Sequence, residues 1–286
     1  MKAFLQWIVA RRMRMALVAA ALSLLPLVGL LAQSVVVVAV LFSGVVEGAI
    51  VALIASAILT APVVISGGAA LPMLGVMAAT WLPVIALAHL LRESRSLSLV
   101  LQVSTMVVAA VVLLAFLLGD PISGWQTLLD EFADQLPVQF QELQRDAAAQ
   151  IMTGMLGVVV LLGSLLALFI GRWWQSILQK PGAFGLEFRQ ARLGLVIAVI
   201  ASLTFVAAGL TSVPVLTNLT LVFTAAYLLQ GLAVVHTLAA VTATGMFWLV
   251  SSYALLIVAA PLAMLALASL GFVDSWFDLR RRLAAK

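Results

Sequence analysis

Cysteine is absent from this chain, which excludes disulfides, thiolate nucleophiles and Cys-ligated zinc or iron–sulfur centres. Histidine occurs only as His89 and His236, a separation that argues against a bis-histidine haem or a His-rich metal site. Gly182 and Gly185 are not followed by a G-K-[ST] triplet, so there is no phosphate loop. Charge is scarce as well. Asp, Glu, Lys and Arg make up 9% of the residues, against about 25% in soluble domains, and a soluble fold fails on that ground.

What the chain has instead is long apolar sequence, 65% hydrophobic residues with a mean hydropathy of +1.23. Residues 15–66 contain one ionisable side chain, Glu47, and residues 193–273 contain His236 and no Asp, Glu, Lys or Arg. A bilayer core about 30 Å thick is crossed by roughly 20 apolar residues as a helix, so each run is several spans joined by tight turns. The expectation is an all-α, polytopic transmembrane helical bundle, a single membrane domain over residues 1–286 without a separate soluble one. The clearest spans are 97–119, 151–171 and 193–210, with another apolar block at 70–91. The stretch 15–66 is long for two spans and tight for three, and 247–270 reads as one tilted helix or a short hairpin bent at Pro261. Arg11, Arg12 and Arg14 precede the apolar run 15–32, where Leu30 spoils a small-x-small cleavage pattern. It reads as an uncleaved first span.

The few charges orient the chain. Lys2, Arg11, Arg12 and Arg14 at the start, Arg92 and Arg95 beside Glu93, Arg172, Lys180, Arg189 and Arg192 against Glu187, and Arg280, Arg281, Arg282 and Lys286 at the end are basic clusters flanking apolar runs. Residues 120–146 carry Asp120, Asp130, Glu131, Asp134, Glu142 and Asp146 against a lone Arg145. The positive-inside rule places both termini in the cytoplasm and the acidic segment outside, which requires an even total of spans, about eight. The net charge of +4 is accounted for by these flanks, so no nucleic-acid partner is expected. Within 120–150, Trp125, Leu128, Leu129, Phe132 and Leu136 recur at three- and four-residue steps up to Pro137. This predicts an amphipathic extracytoplasmic helix, either a lid on the bundle or a partner-binding element.

Five residues are candidates for ligand binding. Glu47, flanked by Gly44 and Gly48, is either a buried binding or proton-coupled acid or a residue at a tight turn that reaches the surface. Asn218, Tyr227, Gln230 and His236 fall in one later segment. There Thr220, Thr224, Tyr227 and Gly231 form a single helical stripe, with Gln230 beside it. Such groups either line a pocket or hydrogen-bond helices together. Ala16 and Ala20 have the four-residue spacing that lets helices approach closely. In the tail, Asp278 is spaced to pair with Arg281 or Arg282, and the triple arginine suits anionic headgroups.

The run Tyr227-Leu-Leu-Gln-Gly-Leu-Ala-Val-Val-His236, the closing Gly-Phe-Val-Asp-Ser-Trp-Phe-Asp-Leu-Arg-Arg-Arg of residues 271–282 and the Pro-Gly-x-Phe and Glu-Phe-Arg residues of 181–189 resemble the YybS-like family of bacterial inner-membrane proteins. That family is distantly similar to the substrate-binding membrane subunits of energy-coupling-factor transporters. The resemblance implies a multi-pass protein of the bacterial inner membrane, and four-residue alanine spacing that meets a coupling subunit, matched by Ala16 and Ala20 in spacing only. Residues and resemblance together lead us to expect a non-enzymatic solute- or lipid-binding subunit of a transport system. It would need no cofactor and would contact membrane lipids and other membrane proteins. The alternative is a structural or assembly factor of the cell envelope. An intramembrane enzyme normally needs paired acids, a Ser–His pair or a metal cluster, and the spans offer one acid and distant histidines.

Overall fold

The computed structural model describes residues 1–25, 28–132 and 142–284, and among them every regular element is an α-helix. In chain order these are α1 (Lys2–Val9), α2 (Arg12–Ser23), α3 (Gly29–Ser43), α4 (Val45–Ile65), α5 (Ala70–Ser94), α6 (Leu97–Leu118) and α7 (Pro121–Glu131). They continue with α8 (Glu142–Gln179), α9 (Ala183–Gln190), α10 (Gly194–Leu210), α11 (Pro214–Val241), α12 (Gly245–Val258), α13 (Ala260–Phe277) and α14 (Leu279–Ala284).

Local chemistry accounts for many of the boundaries. Pro121, Pro214 and Pro261 stand in the first turns of α7, α11 and α13, where a missing N–H deprives no helical bond. The Asp120 carboxylate accepts from the Ser123 N–H, and the Ser96 hydroxyl from the Leu99 N–H, so each caps the helix that follows. Between α3 and α4 a single residue, Gly44 at φ +101°, turns the chain, a conformation that glycine adopts without a Cβ clash.

The helices form two compact units. The first is Met1–Val100 with Gly163–Gln190, the second Leu101–Leu162 with Ala191–Lys286. In the first, α2 packs on α3 and α4 through Ala16, Ala19 and Ala20. A Cβ on Gly48 would stand 2.1 Å from Val40 Cγ2, so the glycine sets the closeness of α3 and α4. In the second unit α11 is the central helix, packed on α10, α12, α13 and α14. Its crossing with α13 is backbone on backbone. A Cβ on Gly231 would lie 1.9 Å from the Leu267 carbonyl oxygen, and one on Gly271 2.2 Å from that of Tyr227.

Among the described residues, six helices are long and apolar enough to cross a membrane: Val45–Ile65, Ala70–Ser94, Leu97–Leu118, Gln144–Gln179, Pro214–Val241 and Ala260–Phe277. The pair α9 and α10, bent by 50° at its break, makes a seventh if it counts as one span. A total of eight additionally needs one of the shorter apolar helices, α3 or α12.

Several expected boundaries shift. The span expected at 151–171 is part of a 38-residue helix, about 57 Å long at ~1.5 Å per residue. The region 247–270 divides at Ala259, two residues before Pro261, into α12 and α13. The short helix expected at 186–192 runs instead from Ala183 to Gln190. The amphipathic helix expected within 120–150 is described as α7, whose Leu128 and Phe132 are exposed. Trp125 donates to the Thr153 hydroxyl and Gln126 to Asp146 on α8. Asp134, Leu136 and Pro137 lie outside the described residues.

Candidate functional site

Helices α10, α11 and α13 of the second unit leave a cleft of about 550 Å³ between them, within the roughly 300–1,000 Å³ typical of small-molecule sites. Its walls are apolar, with the rings of Phe205, Tyr227 and Phe272 the largest groups. Phe205 and Phe272 meet edge to face at 5.7 Å, and Tyr227 meets Phe272 at 5.2 Å, the arrangement aromatic quadrupoles favour. Along one wall run Thr217, Thr220, Thr224 and Tyr227, with Ser269 opposite. They align because steps of three and four residues fall on one helical face. The lining contains no Asp, Glu, His, Lys or Arg.

The hydroxyls differ in what they can offer. Thr220 Oγ1 donates to the Leu216 carbonyl of its own helix, which leaves its lone pairs free. Tyr227 is 1% exposed, and its hydroxyl is covered, with Ser275 the polar side chain beside it.

One turn beyond Tyr227 lies a second, saturated constellation. Gln230, Asp274 and Arg280 are buried. Asp274 Oδ2 accepts from Arg280 Nη2 at 2.7 Å, from Arg280 Nε at 3.1 Å and from Gln230 Nε2 at 2.9 Å. This cluster holds the non-helical residues 191–193 between α9 and α10. Arg280 Nη1 donates to the Ala191 carbonyl, Gln102 Nε2 to the Arg192 carbonyl, and the Leu193 N–H donates to Gln230 Oε1. Backbone groups at such a break need partners in an apolar setting, and three long side chains from three helices supply them. Outside the cluster, Arg192 pairs with Asp278 at 2.8 Å, and that guanidinium holds the Asp278 carboxyl below its ordinary range.

Of the five candidate ligand-binding residues, only Tyr227 lines the cleft. Gln230 is spent on the break. Asn218 is buried and clamps α11 to α8, accepting from the Gly154 N–H at 2.5 Å and donating to the Gln150 carbonyl at 2.7 Å. His236 Nδ1 is 2.8 Å from the Leu232 carbonyl, and the ring meets Tyr253 of α12 edge to face. Glu47 belongs to the first unit. It sits in the first turn of α4, just past the Gly44 turn, 3.2 Å from Arg12 Nε. Ala16 and Ala20 are buried inside that unit.

Three expectations about the tail need correction. Asp278 pairs with Arg192 rather than Arg281 or Arg282, because its backbone is left-handed (φ 45°) and ends α13. Arg280 is consumed by Asp274 and is not available to headgroups. Asp274, in the last turn of α13, joins Glu47, Glu93 and Asp146 as acids within the candidate spans. The residues missed by sequence reasoning, Asp274 and Arg280 above all, are six apart, a spacing that pairs only because the chain turns at Asp278. An Asp one turn before the end of an apolar run was the available signal.

No group of His, Asp and Glu among the described residues is arranged to hold a metal ion. No family model, curated protein or solved structure matches the chain.

Proposed function

We propose that this chain is a non-enzymatic membrane protein that binds a solute or lipid in the α10–α11–α13 cleft, as a subunit of a transport system acting with partner proteins. The observation that carries the reading is the cleft itself: ligand-sized, apolar, and lined on one side by Thr217, Thr220, Thr224 and Tyr227. The proposed topology has about eight spans with both termini cytoplasmic, supported by the basic clusters at the two ends and the acidic segment between α6 and α8. The bacterial inner membrane and kinship with YybS-like proteins belong to the same proposal and rest on the sequence motifs. Ala16 and Ala20 pack within their own unit, so a partner subunit would dock on a different face.

The competing reading, a structural or assembly factor of the envelope, is favoured by one observation. Glu47, Asn218, Gln230 and His236 all have partners inside the chain, as groups that only join helices would.

A substitution at Gly209 separates the two. Gly209 lines the cleft, and a Cβ there meets nothing within 4 Å, so Gly209→Trp fills the cleft without forcing the backbone. Wild type and variant are purified from membranes and their bound small molecules and proteins identified by mass spectrometry. A small molecule enriched with wild type and lost from an equally abundant variant supports the binding subunit. Protein partners retained by both, with no enriched small molecule, turn the assignment to an assembly factor.

A further inference from the structure

We infer that α1 lies in the plane of the membrane surface and binds the phosphates of anionic phospholipids, with Phe4 and Trp7 inserted beside the lipid chains. The first observation is the part of α1 that the protein leaves uncovered. The helix is eight residues long, about 12 Å at ~1.5 Å per residue, far too short to cross a bilayer. Steps of three and four residues put Met1, Phe4, Leu5 and Ile8 on one face with Trp7 at its edge, while Lys2 and Gln6 fall opposite. Packing uses only some of that apolar face. Leu5 and Ile8 are buried and α1 packs on α2, whereas Phe4 is 56% exposed and Trp7 48%. Their rings stack at 6.2 Å as one uncovered aromatic patch. A short helix with an aromatic edge and a basic flank is the kind that lies in the interface.

The second observation is how the end of α1 is fastened. Arg11 is extended (φ −147°, ψ 132°), so α1 and α2 are not one continuous helix. Arg14, in the first turn of α2, reaches back across the break. Its Nη1 donates to the Trp7 carbonyl at 3.1 Å, and its guanidinium lies over the Trp7 ring, 4.8 Å from the centroid, a cation–π contact. Tryptophan rings favour the headgroup level, and this clasp holds a guanidinium at the same level. A guanidinium carries five N–H donors. The carbonyl takes one, and the others suit phosphate oxygens.

Charge then selects the lipid. Lys2, Arg11, Arg12 and Arg14 all precede the first acid of the chain, Glu47, which pairs with Arg12. Lys2 and Arg11 are exposed. A choline or ethanolamine ammonium gains nothing from these cations, whereas each Lys or Arg near an anionic surface strengthens binding about fivefold. A protein partner of ordinary size covers about 800 Å² on each side, far more than the two stacked rings present.

Site-directed photo-crosslinking tests the inference. The chain has no cysteine, so a benzophenone is attached through one introduced cysteine at a time. The positions are Phe4→Cys, Gln6→Cys on the opposite face, and Val107→Cys, an exposed site on the uncharged helix α6. Each full-length protein is irradiated in nanodiscs of equal parts phosphatidylglycerol and phosphatidylcholine, and adducts are identified by mass spectrometry. Size exclusion verifies that every variant folds. At position 4, phosphatidylglycerol adducts are expected to exceed phosphatidylcholine adducts about fivefold or more. At position 107 the two lipids label equally, and position 6 yields little lipid adduct. Adding Lys2→Gln and Arg11→Gln to the Phe4→Cys protein moves its ratio toward one. Equal adducts of the two lipids at position 4 overturn the anionic-lipid assignment. Crosslinks to protein in place of lipid at position 4, or as much lipid adduct at position 6 as at position 4, overturn the placement of α1 in the membrane surface.

Discussion

Each unit contains a helix break stitched by side chains from elsewhere in that unit, and the two breaks are finished differently. Around Gly44 the Val40 carbonyl accepts from Arg92 Nη1 at 2.9 Å and the Leu41 carbonyl from Gln175 Nε2 at 3.3 Å. The acid at this break, Glu47, keeps 20% of its side chain exposed, and its partner Arg12 keeps 55%. At residues 191–193 an arginine and two glutamines do the stitching, but the acid, Asp274, is 1% exposed and its partner Arg280 3%. One recipe, an arginine and a glutamine on backbone carbonyls, therefore operates at two levels of desolvation. Water screens the first ion pair. The second is committed, because either charge left alone would be buried without compensation.

The largest effect should come from splitting the committed pair. Arg280→Met is expected to destabilise the protein by about 3–5 kcal/mol, the usual penalty for orphaning a buried charge, read as a fall in the thermal unfolding midpoint in detergent. The double variant Asp274→Leu/Arg280→Met should recover most of that loss. Glu47→Gln, by comparison, should change stability by less than about 1 kcal/mol, as for exposed ion pairs. Equal losses from Arg280→Met and Glu47→Gln would erase the distinction between the two breaks.

A smaller contrast separates the close helix crossings of the two units. Alanine at Gly231 meets the Leu267 backbone, which cannot yield, whereas alanine at Gly48 meets the Val40 side chain. Gly231→Ala should cost about 1–3 kcal/mol through overpacking. Gly48→Ala should be milder, its strain partly offset by the roughly 1 kcal/mol gain in helix propensity. Comparing their unfolding midpoints checks this.

The smallest effect is a pH dependence at the outer pair. The Asp278 carboxyl is lowered chiefly by its bond to Arg192. A depressed folded value means that its stabilisation is present above the unfolded value of about 3.9 and is lost as pH falls through the folded one. Asp278 is partly exposed, so Asp278→Asn should lower the midpoint slightly at pH 7, with the gap to wild type closing below about pH 4.

The sequence made the helical, membrane-type character legible because hydrophobic runs and scarce charge act over tens of residues. The hydroxyl stripe at Thr220, Thr224 and Tyr227 was legible for the same reason: three- and four-residue steps define a face without reference to any partner. The site beyond that was not. Whether Asn218 and Gln230 point at a ligand or at a neighbouring backbone depends on which helix lies opposite, and periodicity carries no such information. Phe205 and Phe272 are ordinary apolar residues until α10 and α13 are placed beside α11. Asp274 and Arg280 were hidden by their position, since charges at the end of an apolar run look like an interfacial flank. Burial came from the reversal at Asp278, a left-handed residue that hydrophobicity does not announce.

The stitching of residues 191–193 also fixes an order of manufacture. The Ala191 carbonyl is made 89 residues before the arginine that satisfies it, an interval of roughly 5–20 s at ribosomal speed. For that time the nascent break has neither Gln230 nor Arg280 in place at first, and its backbone must find water or the insertion apparatus instead. The second unit therefore closes late, when the arginine cluster leaves the ribosome. A chain arrested short of residue 280 would leave the Ala191 carbonyl without the arginine that satisfies it.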